Sequence, residues 1–124
     1  MKKMITICMI AIFATLAANA LEAPANAQGR DNSVTSHTDV VRANTTDIYR
    51  MYFTRGVEAE VVVIGDGDTD LDVYVYDEND NLMDFDIDYG DDCYVSWTPK
   101  RSGYFTVKVK NLGDISNRYL LIRN

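Results

Sequence analysis

From Asp47 to the C-terminus the apolar residues of this chain fall on alternate positions, and nowhere over two turns do they fall at helical spacing. Successive side chains of a strand take opposite faces, so such alternation commits a chain to β-structure with one face buried. Tyr49, Met51 and Phe53 alternate with Arg50 and Tyr52. Val57, Ala59, Val61 and Val63 alternate with Glu58 and Glu60, and Leu71, Val73 and Val75 with Asp72, Tyr74 and Tyr76. Met83, Phe85 and Ile87 alternate with Asp84, Asp86 and Asp88 and are expected to form an inward set. Cys93, Val95 and Trp97 follow, stopped by Pro99; then Phe105, Val107 and Val109 alternate with Thr106, Lys108 and Lys110, and Tyr119 to Ile122 closes the chain. Turn-forming clusters separate these runs at Arg55-Gly56, Gly65 to Thr69, Asp77 to Asn81, Tyr89 to Asp92, Lys100 to Gly103 and Asn111 to Asn117. The pattern predicts an all-β fold, an antiparallel β-sandwich of about 7–8 short strands. A small closed barrel satisfies the same pattern.

The first 46 residues do not share this period. The chain opens Met-Lys-Lys, runs apolar from Met4 to about Ala18, and then offers two small-x-small sites, Ala18-Asn19-Ala20 and Ala25-Asn26-Ala27. A basic start, a short apolar run and such a site describe a signal peptide, here residues 1–27, with cleavage expected after Ala27 or alternatively Ala20. The run is short of the roughly 20 apolar residues that a membrane span needs. The protein is therefore expected to be secreted or periplasmic. Residues 28–46, polar and without a period, are expected to be a flexible arm, with a short strand at Val40-Val41 at most. Residues 47–124 then form the sandwich domain.

Lys and Arg number 12 and Asp and Glu 19, a formal net charge of −7, and removal of the leader deepens the excess of acid. Nucleic acid and anionic lipid are poor partners for such a surface. Cys93 is the only cysteine after the leader, so no intramolecular disulfide is available, and its alternation places it in the core. The only histidine, His37, falls in the arm, where a Ser-His-Asp or Cys-His arrangement would require the arm to fold back. A pair of acids working on a sugar would need a cleft, and a domain this small has little material for one. The expectation is a protein that is not an enzyme, monomeric or weakly associated.

Twelve of the acidic residues lie between Asp66 and Asp92, with no Lys or Arg among them. Carboxylates at that density repel unless solvated or neutralised. Calcium is the natural neutraliser outside the cell, taking six to eight oxygens in tolerant geometry. Asp66, Asp68 and Asp70, with Asp72 and with Asp91 and Asp92 from a second loop, are the candidate ligands. The D-x-D-x-D start is not an EF-hand, since Leu71 stands where the loop needs Gly and Asp77 where it needs Glu. The other reading is a solvated acidic face that keeps the protein soluble and guards its edges. Tyr74 and Tyr76, outward beside Asp70 and Asp72, are the candidate binding face, since tyrosine is enriched at recognition surfaces.

Several of these residues carry a resemblance. The run Gly67-Asp68-Thr69-Asp70-Leu71-Asp72-Val73-Tyr74-Val75-Tyr76-Asp77 is similar to the D-L-D-L-Y-L-Y-D strand of bacterial pre-peptidase C-terminal (PPC) domains. Trp97-Thr98-Pro99 followed by Ser102-Gly103-Tyr104-Phe105-Thr106-Val107-Lys108-Val109 resembles their F-T-x-P-x-S-G-x-Y-x-V-x-V segment, and Asp47-Ile48-Tyr49 with Gly56-Val57 their opening strand. The resemblance covers residues 47 to 122. It implies a jelly-roll-like β-sandwich related to the collagen-binding domains of clostridial collagenases, some of which bind calcium and which use exposed tyrosines on a sheet face. Those calcium-binding relatives draw carboxylates from an acidic linker, where this arm offers only Asp31, Asp39 and Asp47. The function implied is a non-catalytic accessory module that recognises a protein or other polymer through an Asp/Tyr face. A carbohydrate-binding module, or a structural protein or inhibitor acting on a separate peptidase, is the alternative.

Overall fold

The structure, a computed structural model, describes residues 34–124. The leader expected over residues 1–27, and the beginning of the arm, lie outside the described residues. Eight strands follow in order: β1 (Thr35–Val41), β2 (Thr46–Phe53), β3 (Ala59–Ile64), β4 (Leu71–Tyr76), β5 (Leu82–Asp86), β6 (Asp92–Trp97), β7 (Gly103–Asn111) and β8 (Asn117–Arg123). They form two four-stranded sheets, ordered β1-β8-β3-β6 and β2-β7-β4-β5, and every pairing is antiparallel.

The pairings nest: β1 with β8, β2 with β7, β3 with β6, β4 with β5. One long hairpin has been folded over on itself, which is the jelly-roll arrangement, and it resolves the choice between sandwich and barrel. Only β4 and β5 are joined by a hairpin within one sheet. Its turn is fixed by the Asp77 carboxylate, which accepts from the backbone N–H of Asn79 (2.8 Å) and Asn81 (2.9 Å), and Asp80 takes the left-handed conformation (φ 61°) that Asp tolerates. Every other connection passes from one sheet to the other.

Between the sheets lie the expected alternating sets. Val61, Val63, Cys93, Val95, Tyr119 and Leu121 face Leu71, Val73, Val75, Phe105, Val107 and Val109, all at most 5% exposed. Burying one such side chain stabilises by about 1.5–3 kcal/mol. At one end Phe53 meets Trp97 edge to face (ring centroids 4.8 Å) and Phe105 in the same manner (5.9 Å). The Arg123 guanidinium lies over the Phe53 ring at 4.3 Å. Cys93 is fully buried, its thiol donating to the Leu71 carbonyl (3.1 Å), so the core assignment of both Cys93 and Trp97 holds.

Two expectations need correction. Within the segment read as a flexible arm, Thr35–Val41 is a seven-residue strand paired along its whole length with β8. With only Asp39 half-buried before Val41, this edge strand carries no apolar alternation to read. The second correction concerns β5. Its register sets Asp84 and Asp86 opposite Val75 and Val73, on the core-facing side, and Phe85 opposite Tyr74 on the outer side. Phe85 is 48% and Ile87 52% exposed, whereas Asp86 is 9% exposed; only Met83 of the expected inward set packs against the core.

The reason is at the neighbouring edge. β6 ends its sheet, so alternate N–H groups of that strand have no strand to bond. Asp86 accepts from the Tyr94 N–H and Asp84 from the Ser96 N–H, both at 2.9 Å. Two carboxylates of one sheet thus substitute for a missing strand on the other and close that side of the sandwich. An irregularity at Val75/Tyr76 accompanies the shift in pairing.

Candidate functional site

The predicted acidic residues divide between two places. Asp66, Asp68, Asp70 and Asp91 lie on the loops that join β3 to β4 and β5 to β6, at one end of the sandwich. Asp66 accepts from the N–H of Asp68 (3.0 Å) and of Arg118 (2.8 Å). Asp70 accepts from Gly90 N–H (2.9 Å), and Asp91 from Gly67 N–H (2.5 Å) and the Asn117 amide (2.9 Å). The fully buried Asn117 also donates to Thr69 and accepts from Asp66 N–H, so it joins both loops to β8. Gly65 belongs to the same arrangement: a Cβ there would stand 2.2 Å from an Asp91 carboxylate oxygen. The carboxylates of Asp66, Asp70 and Asp91 are thus each taken up by backbone donors. Among the described residues no group of three or more His, Cys, Asp or Glu side chains is placed to hold a metal ion. Asp72 and Asp92 stand apart from the loops, Asp72 buried on β4 where it accepts from the Tyr74 hydroxyl (3.4 Å), and Asp92 opening β6.

A second polar cluster ties β1 to β2 and β8. The Tyr49 hydroxyl lies 3.0 Å from Asp39 and makes a short hydrogen bond with the Tyr119 hydroxyl, which lies 2.8 Å from Asp47; the two phenol protons serve these three contacts between them. Burial pushes the Tyr49 phenol up to about 12, and burial with two hydrogen-bonded neighbours raises Tyr119 further. The Val40 N–H and the Tyr49 hydroxyl hold the Asp39 carboxyl below its ordinary range. His37 lies 3.5 Å from Asp39 and meets the Tyr49 ring at its edge. His37 is on β1 and Cys93 is buried on β6, at opposite edges of one sheet, so a Cys-His pair is excluded by the topology.

The outer face of the β2-β7-β4-β5 sheet is of a different character. Register lines up Ile48, Lys108, Tyr74 and Phe85 in one row across all four strands, and Arg50, Thr106, Tyr76 and Leu82 in the next. Tyr52 and Tyr104 form a third row and touch edge to face at 5.4 Å. Ile48, Tyr52, Leu82, Phe85 and Tyr104 are each about half exposed or more. Tyr74 and Tyr76, the two tyrosines expected from sequence, are half-buried: their rings stack at 6.5 Å and 19°, and the Lys108 ammonium sits 4.9 Å from the Tyr76 centroid. Arg50 covers the Tyr104 ring in the same way at 5.2 Å. Desolvation raises the Tyr74 phenol.

The face therefore extends well beyond the Asp/Tyr pair, and its three rows hold no carboxylate; Asp72 falls in the adjoining row, beside Lys110 and Thr46. Sequence reading missed Tyr52 and Tyr104, although both fall on outward positions of their strands; what it lacked was the register that places them side by side. Phe85 was missed because it was assigned inward.

No protein-family model matches the chain, and no curated protein matches it at a significant level. Solved structures do share its architecture. The pre-peptidase C-terminal domain of a collagenase from Bacillus anthracis superposes with a TM-score of 0.58 at 14% identity, over 73% of this chain and 88% of that one. This is the fold of a pre-peptidase C-terminal domain. The Yersinia pseudotuberculosis-derived mitogen gives 0.60 at 15% identity, covering 74% of this chain and 85% of its own. PliG of Aeromonas hydrophila, a periplasmic inhibitor of g-type lysozyme, gives 0.55 at 11% identity, covering 73% and 84%. At these identities the likeness is one of fold, and it agrees with the architecture that the PPC-like motifs implied.

Proposed function

We propose that this chain is an exported, non-catalytic module that binds another protein through the outer face of the β2-β7-β4-β5 sheet. The observation that carries the reading is the composition of that face. On a protein with a net charge of −7, three registered rows bring together four tyrosine rings, Phe85, Ile48 and Leu82 with Arg50 and Lys108. Aromatic residues and arginine are what protein interfaces concentrate, and charge is kept to the rim. The partner is accordingly expected to present an apolar patch with carboxylates around it.

The tyrosines bear on the carbohydrate alternative. A sugar stacks on the open face of a ring, but Tyr76 has Lys108 over one side and Tyr74 beside it, and Tyr104 is covered by Arg50. The rings offer edges and hydroxyls more than platforms, which favours a protein ligand. That this fold also serves a domain of a collagenase and an inhibitor of lysozyme supports a module that works on or beside another protein, with inhibition as one form of that work. The leader read over residues 1–27 supports export.

In this reading the loop carboxylates of Asp66, Asp70 and Asp91 are structural acceptors that satisfy backbone N–H groups left open by the jelly-roll connections. The binding face is tested by Phe85→Ser and Lys108→Glu. Either variant should keep the wild-type circular dichroism and lose at least about tenfold in affinity for the partner recovered with the wild type, since each removes a central anchor. Unchanged affinity in both would remove the face from consideration.

A further inference from the structure

Beside the aromatic face, where the β4–β5 and β6–β7 turns approach each other, lies a cavity of about 230 Å³ lined by Asp77, Glu78, Met83, Lys100, Arg101 and Phe105, with Asn79, Gly103 and Tyr104 completing its wall. Its base is apolar: Phe105 is 5% exposed and Met83 packs against the core. Its rim is charged. Neither Lys100 nor Arg101 has a carboxylate within ion-pair distance among the described residues. Asp77 already spends its two oxygens on three donors, the N–H of Asn79 and Asn81 and the Asn81 amide, which holds its carboxyl below the ordinary range. Glu78 has no such duty, and its carboxylate stands about 3.7 Å from where a Cβ on Gly103 would lie.

Both walls are fixed. The Asp77 bonds hold one turn, and on the other the Ser102 hydroxyl accepts from Arg55 N–H (2.8 Å) while the Pro99 carbonyl accepts from Gly56 N–H (2.9 Å). Three functions are thus presented on a rigid frame: two uncommitted cations, one uncommitted carboxylate and an apolar base large enough for a single side chain. A free peptide C-terminus with an apolar last residue matches all three. Its carboxylate meets Lys100 and Arg101, the last amide N–H donates to Glu78, and the side chain rests on Met83 and Phe105.

We propose that this cavity is a recognition site for the C-terminal residue of the partner protein. The proposal rests on the protein-binding reading above and places one anchor of that contact. An internal Asp or Glu side chain shares the carboxylate chemistry, and the experiment separates the two sources. The full chain is titrated with N-acetyl-Ala-Phe as free acid, with the same dipeptide as C-terminal amide, and with N-acetyl-Glu-amide, following backbone amide NMR signals.

The free acid is expected to shift the signals of Asn79, Gly103 and Tyr104 saturably at millimolar peptide. The C-terminal amide should bind at least about tenfold more weakly, because it loses a charge-assisted hydrogen bond. A double variant Lys100→Met and Arg101→Met should weaken the free acid to the level of the amide, whereas Ser36→Ala, on the opposite sheet, should leave it unchanged. Saturable shifts elsewhere only, equal binding of acid and amide, or stronger binding of N-acetyl-Glu-amide than of the free acid would each overturn the proposal. Because this readout needs no partner, its failure leaves the sheet-face test standing, and the reverse also holds.

Discussion

The residues that decide most in this small protein are polar groups set against the backbone. Tyr119, 1% exposed, carries a hydroxyl within hydrogen-bond reach of Asp47 and of Tyr49, and through Tyr49 it reaches Asp39 on β1. Tyr119→Phe keeps the ring and removes the link, leaving Asp47 and Tyr49 to find new partners; the expected loss is about 1–3 kcal/mol in urea unfolding. The same cluster sets an alkaline limit. A phenol raised to about 12 when folded, as for Tyr49 in this cluster and for Tyr94, which donates to Glu60 (3.0 Å) across β3 and β6, keeps its proton where the unfolded chain has lost it. Between about pH 10 and 12 the native state then binds more protons than the unfolded state, so stability falls as pH rises through that window and is unaffected below it. Tyrosinate absorbance and fluorescence followed together should show ionisation of these phenols only as the protein unfolds. Gradual titration of all eight tyrosines in a folded protein would contradict the burial argument. None of this was legible in the sequence, where Tyr49 reads as one member of an alternating set and Tyr119 as the start of the last strand.

At the scale of elements, the strands whose inner face is apolar were legible and the two at the margins were not. β4 and β7 alternate cleanly because one side meets the core and the other meets water, and Leu71, Val73, Val75, Phe105, Val107 and Val109 all lie where the period puts them. β5 alternates just as cleanly yet sits the other way round. Hydropathy sees apolar against acidic and assigns the apolar side inward, and a shift of one residue exchanges the faces. What overrides it is the unpaired edge of β6, a feature of topology that no local pattern records. Removing Asp86 with Asp86→Ala should cost about 1–3 kcal/mol by stranding the Tyr94 N–H, and Asp86→Asn, which keeps an acceptor, should recover most of it in the same denaturation series. The acidic loops were legible as loops but not as a scaffold, because Asn117, which holds them, gives no sequence signal. If their carboxylates serve the backbone, millimolar calcium against chelator should leave the melting temperature unchanged. A native-state site would instead raise stability by about 2.7 kcal/mol at a hundredfold excess over its dissociation constant.

At the scale of the whole molecule, topology separates two surfaces of different character. The acidic loops gather at the connections between sheets, while the nested pairing of β2, β7, β4 and β5 assembles tyrosines and cations from residues 46 to 111 on one face. No stretch of sequence shows that face, since Ile48, Lys108, Tyr74 and Phe85 become one row only when four strands take their register. Such a fold, with its first strand paired to its last, also depends on distant contacts and is expected to fold slowly for its size. The central claim is that this assembled face is where the protein meets its partner. A photo-crosslinking side chain at position 85, compared with one at position 36 on the opposite sheet, tests it most directly in the exported-protein fraction of the source cell. A discrete adduct from position 85, absent from position 36 and abolished by Lys108→Glu, is the predicted result. Adducts of equal yield from both positions, or one from position 36 alone, would contradict the account.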